Sequence, residues 1–161
     1  MKIRIRETGQ VLFQHEWEKW VAQAYAKSLS GITEEVINRF NSDVVFEGPQ
    51  ASGGTVYQYS QSFGVEQVDG KWYTKYVLGP IFTDGETTAI EQEVAYKSLK
   101  DAEQAQNIRN QRNQMLKDCD WTQLEDSPVD KILWASYRQS LRDITEQSGF
   151  PWEIQWAVQP E

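Results

Sequence analysis

Few side chains in this sequence could make or break a bond. His15 is the one histidine, the residue type that ordinarily titrates near neutral pH. It sits at the start of a helical stretch with no Ser or Cys nucleophile motif beside it. It reads as a surface or capping residue. The single cysteine, Cys119, lies between Asp118 and Asp120; flanking carboxylates disfavour a thiolate, so it reads as structural. Carboxylate doublets of the kind glycosidases use are present at Asp118/Asp120 and Glu125/Asp126. Sequence neighbours do not face each other across a scissile bond, and among 24 acidic residues doublets are inevitable. There is no Gly-rich phosphate loop, no spaced set of metal ligands, and no basic aromatic stretch for single-stranded nucleic acid. The expectation is a protein that is not an enzyme and uses neither metal nor cofactor.

Binding chemistry is better supplied. Trp, Tyr and Arg dominate interface energetics because they bury much area with few rotors to freeze. Residues 119–161 hold four of the seven tryptophans, with three Lys/Arg against eight Asp/Glu, net -5. Some of these aromatics must form a local core, since so short a segment has little else to bury. The expected core is Trp121, Leu133, Tyr137, Leu141, Ile144 and Phe150. The expected partner-binding set is Trp134, Arg138, Arg142, Trp152 and Trp156. Arg138 and Arg142 stand one helical turn apart; they could grip carboxylates bidentately, or pair at home with Asp143 and Glu146.

The whole chain sets the bounds. Its 161 residues allow one domain, or one domain with an appendage. Hydrophobic residues make up 39% and mean hydropathy is -0.66, yet 12% of residues are aromatic, too many for a disordered chain. A net charge of -8 makes nucleic acid and anionic membrane poor partners. One cysteine excludes an intramolecular disulfide. No apolar run approaches the ~18 residues of a membrane span, and the N-terminus lacks a signal-peptide core. The expected location is the cytosol of the cell that makes it.

The elements that must position these residues read as α+β: a small antiparallel N-terminal sheet with two helices, a long connector helix, then a C-terminal helical hairpin with an extended tail. The boundaries are residues 1–82, 86–118 and 119–161. Lys2-Ile3-Arg4-Ile5-Arg6 alternates as a strand, and Val11-Leu12-Phe13 continues as another. Residues 16–28 form an amphipathic helix, and Thr33 caps a second with Glu34 and Glu35 in its first turn. Strands are expected at 43–47, 55–61 and 71–78, with Asp69-Gly70 turning residues 65–68 into the last of them. Residues 86–118 contain neither Gly nor Pro beyond Glu86, giving a rod of about 50 Å. Its sparse apolar seam fits a solvated connector, or one strand of a short coiled coil with itself or a partner. Asp126 or Ser127 caps a last helix over 129–147 with Pro128 at its first position, and Gly149 ends it.

The C-terminal residues also carry a resemblance. The runs Arg109-Asn110-Gln111-Arg112-Asn113-Gln114-Met115-Leu116, Asp120-Trp121-Thr122-Gln123-Leu124 and Asp126-Ser127-Pro128 are followed by Trp134-Ala135-Ser136-Tyr137-Arg138-Gln139-Ser140-Leu141-Arg142-Asp143-Ile144 and Gly149-Phe150-Pro151. Over about residues 109–156 this resembles the C-terminal module of bacteriophage tail assembly chaperones. Met115 stands where that family usually has Leu, and Trp156-Ala157 where it usually has Trp-Pro. The resemblance implies a non-enzymatic factor that binds a tail or tail-fibre protein during folding, trimerisation or attachment, acting in the host cytoplasm. The rival is a structural component that stays on the tail fibre or baseplate of the virion. A third reading, a small-ligand domain, rests on Tyr57, Tyr59, Tyr73 and Tyr76 in the front half.

Overall fold

The computed structural model describes residues 1–161. The chain forms two compact units, Met1–Ile81 and Phe82–Glu161. The molecule is mixed α and β, with one five-stranded sheet and four helices, one of them long. No helix is long and apolar enough to cross a membrane.

In the N-terminal unit the strands are β1 (Lys2–Ile5), β2 (Val11–Phe13), β3 (Ser42–Glu47), β4 (Tyr59–Val68) and β5 (Lys71–Gly79). Their order is β2-β1-β3-β5-β4. The sheet is not purely antiparallel as the sequence led us to expect, because β3 and β5 pair in parallel. The local signal was sound: Asp69 and Gly70 both take positive φ and fold β4 back onto β5. What no local rule specifies is that β4 takes the outer edge, which leaves β5 beside β3 and pointing the same way. β4 is also one strand, running through the gap left at 62–64 by way of a bulge between Ser62 and Val65 with Gly64 in the left-handed region.

Strand alternation decides the core. Ile3 and Ile5 pair with Val44 and Ser42 and point to the side covered by helices α1 (Gln14–Tyr25) and α2 (Glu34–Arg39). There they are buried with Trp17, Val21, Ile37 and Phe40. The one polar group of Trp17 is satisfied: its indole N–H donates to Ser42 Oγ at 3.0 Å, and Ser42 donates to the Phe40 carbonyl. Thr33 caps α2 by accepting from the Val36 N–H, as its sequence position predicts.

The opposite face of the sheet is held by paired charges. Lys2 donates to Glu47 at 3.1 Å and to Thr74, and the Tyr76 hydroxyl donates to Glu47 at 2.8 Å. Arg4 lies 4.0 Å over the Trp72 ring, and Arg6 pairs with Asp43 at 2.7 Å. The Tyr76 hydroxyl, followed by Lys2, holds the Glu47 carboxyl below its usual range. The folded state therefore binds this proton less readily than the unfolded chain. The resulting stabilisation is present above the ordinary Glu pKa and is lost as pH falls through the depressed folded value. Tyr76→Phe is expected to move the Glu47 titration upward, read by carboxyl NMR against pH.

In the second unit α3 runs Ala89–Asp118. It starts three residues later than expected because Thr88 and Glu91 form a reciprocal capping box. The backbone N–H and hydroxyl of Thr88 also hold the Glu91 carboxyl below its usual range. A 3-10 turn (Asp120–Gln123), helix α4 (Lys131–Arg142) and a second 3-10 turn (Asp143–Glu146) follow. The start of α4 is a correction: its cap is Asp130, whose carboxylate accepts from the N–H groups of Ile132 and Leu133, so Pro128 lies outside the helix.

Candidate partner-binding surface

The C-terminal unit closes around the point where α3 ends. Cys119, Trp134, Tyr137 and Leu141 form its buried core, with Met115, Leu116, Val129, Trp156 and Ala157 packed against them. Residues 134, 137, 138 and 141 are one stripe at the three- and four-residue spacing of a helix face. Arg138 belongs to that stripe. Its guanidinium donates to the Leu116 carbonyl and to Asp120, both at 2.8 Å, and lies 3.0 Å from Cys119 Sγ. A cation on a carbonyl of the last turn of α3 sits where the helix dipole favours it. Burial works against this charge, but the hydrogen bonds to Asp120 and then Cys119 outweigh it and hold the group above its usual range. Burial, with Cys119 and Asp118 adding, likewise raises the Tyr137 phenol.

Several expected placements are therefore corrected. Trp134 and Arg138, expected to face a partner, are buried, Trp134 to 2% exposure. Trp121 and Leu133, expected in the core, are 48% and 56% exposed. The Trp121 ring covers that of Trp134 at 5.9 Å, so the outer of the two tryptophans is the earlier one. Tyr137, Leu141 and Ile144 are buried, and Phe150 is half-buried beneath the Arg109 guanidinium. Arg142 is exposed; it has no ion pair with Asp143 or Glu146, only a 3.4 Å bond to Gln139, while Gln139 itself holds Asp143.

Trp152 and Trp156 are half-buried in a tail that folds back on the unit. The Trp152 indole N–H donates to Asp101 on α3 at 2.6 Å. The Gln147 amide donates to the Gln155 carbonyl and accepts from its N–H, imitating a strand pairing with one side chain. Gly149 makes the fold-back possible, because a Cβ there would collide with the Glu153 carbonyl. Gly149→Ala is expected to free the tail. Acrylamide quenching should then reach Trp152 and Trp156 while far-UV circular dichroism stays unchanged.

Apolar side chains are among those that remain outside. Besides Trp121 and Leu133, Leu124 is 59% and Ile132 81% exposed. Lys131 donates to the carbonyls of Thr122 and Leu124, which holds the turn carrying Trp121 and Leu124 to the start of α4, where Ile132 and Leu133 follow. Leu124 and Ile132 were missed in the sequence, although a branched pair placed directly after a helix cap, Ile132-Leu133, was legible there. No group of three or more His, Cys, Asp or Glu side chains is placed to hold a metal ion. The N-terminal unit has a polar groove of about 330 Å³ lined by Arg6, Glu34, Asn38, Asp43 and Lys71; none of the four tyrosines lines it.

Residues 105–161 match the family model for the phage tail assembly chaperone protein. That stretch contains the buried core, the fold-back tail and the exposed apolar cluster alike, and it supports a role in tail assembly. No curated protein and no solved structure matches the chain.

Proposed function

We propose, from a C-terminal segment that matches the phage tail assembly chaperone family, that this chain is a non-enzymatic chaperone of a tail-fibre protein. It binds the fibre in the host during folding, trimerisation or attachment. The observation that carries this reading is the division of labour within the matched segment. Within it Arg138 ties α4 to the end of α3, and Trp152 ties the tail to Asp101 further back on that helix, whereas Trp121, Leu124, Ile132 and Leu133 are left to solvent. Such a cluster on an otherwise polar chain suits contact with another protein better than reaction with a small molecule. A fibre chain exposes apolar edges before it trimerises, and a surface that covers them transiently prevents wrong pairing.

The experiment is co-expression of a tail-fibre protein from the same genome, with and without this chain. Soluble, trimeric fibre is expected only in its presence, and equal yields of trimer without it would refute the proposal. Quantifying the chain in purified particles separates a chaperone that leaves from a permanent subunit: absence is expected, and a fixed ratio to the fibre would make it structural.

A further inference from the structure

The apolar cluster at the start of α4 has an acidic rim, and the two together restrict what can sit on it. Asp120, Glu125, Asp126 and Asp130 all lie exposed in the same segment as Trp121, Leu124, Ile132 and Leu133. Between residues 119 and 133 the only cation is Lys131, and its ammonium is occupied by two backbone carbonyls. Arg138 is buried. Arg142 stands nine to ten residues beyond Leu133 and Ile132, about 15 Å further along α4. Asp130 caps α4, so Glu125 and Asp126, both exposed, carry the unpaired negative charge of the rim.

We infer that this surface, taken as the docking site of the chaperone proposed above, receives a short segment of its client in which bulky apolar side chains are flanked by Lys or Arg. The apolar anchors bury against Ile132, Leu133, Leu124 and the open face of Trp121. The flanking bases meet Glu125 and Asp126, and a guanidinium has Trp121 available for stacking. An acidic segment would meet like charge on every side. A second copy of this chain is disfavoured for the same reason, since it would bring the same rim against itself.

The test is selection from a random peptide library on the full chain and, in parallel, on an Ile132→Glu/Leu133→Glu variant. Both positions lie in the first turn of α4, where carboxylates favour the helix, so the variant should fold; circular dichroism checks this. Ile132→Ser, which removes area without adding charge, separates the two effects. Enriched peptides are expected to combine bulky apolar residues with Lys or Arg. They should bind the double variant at least roughly tenfold more weakly, and lose affinity as salt rises to about 0.5 M. Enrichment without basic residues, equal binding to the variant, or no enrichment at all would overturn the inference. So would a dimer in sedimentation that Ile132→Glu dissolves, since the occupant would then be a second copy. If fibre assembly depends on the chain while the peptides fail these criteria, the chaperone proposal stands and this one falls; the reverse pattern removes only the chaperone proposal.

Discussion

Trp134→Ala is expected to destabilise the C-terminal unit by about 3–5 kcal/mol, the range for truncating a buried aromatic. The ring is enclosed by Trp121 at 5.9 Å and by Tyr137 edge-on at 5.7 Å, and Cys119 and Leu141 complete the same core. Removing it opens a cavity that two helices tied at fixed points cannot close. Domains of this size are stable by only about 5–15 kcal/mol in total, so a loss on this scale decides whether the unit folds. Trp134→Phe supplies the contrast. The Trp134 indole N–H is buried without a hydrogen-bond partner, and an orphaned donor of this kind costs about 1–3 kcal/mol. Phe loses some packing area but also removes that donor, so its effect should stay within about 1 kcal/mol of the parent. Urea unfolding of the two variants, followed by near-UV circular dichroism, measures the difference; equal midpoints would refute the account of the site.

Arg138→Ala is expected to cost about 2–3 kcal/mol, and Asp120→Ala about 1 kcal/mol or less, although the two residues form one ion pair at 2.8 Å. The asymmetry follows from exposure. The Asp120 side chain is 64% exposed, so solvent screens its half of the pair and rehydrates it when Arg138 is gone. Arg138 does more than neutralise a carboxylate: it satisfies the Leu116 carbonyl at the end of α3, contacts the Cys119 sulfur, and fills core volume with its stem. Arg138→Met keeps the stem and loses the donors, so its midpoint should fall between those of the parent and the alanine variant. An Asp120→Ala loss as large as that of Arg138→Ala would mean that the ion pair itself, rather than the anchoring of α4 to α3, carries the energy.

Both predictions bear on how the proposed interface is built. Residues tied to the end of α3 set the position of α4, and α4 in turn presents Ile132 and Leu133. Changes in the core should therefore abolish binding together with folding, while changes at Ile132 should leave folding intact.

Much of this molecule follows from short-range rules, and those parts were legible in the sequence. Alternation in Lys2–Arg6 put the isoleucines on the core side; Thr33 capped its helix; Asp69-Gly70 made its hairpin; an uninterrupted run of helix formers became α3. Each needs only neighbours within a few residues. The parallel pairing of β3 with β5 needed a strand from elsewhere in the chain, and no local pattern encodes it. The choice between Trp121 and Trp134 was of the same kind. On a helix expected over 129–147, residues 133, 137, 141 and 144 make one acceptable apolar stripe, and 134, 137, 138 and 141 make another, rotated by less than a third of a turn. Counting Arg138 as polar selects the first. The folded chain takes the second: the Arg138 stem and guanidinium are buried to reach the Leu116 carbonyl at the end of α3, and that turns Trp134 inward and Leu133 out.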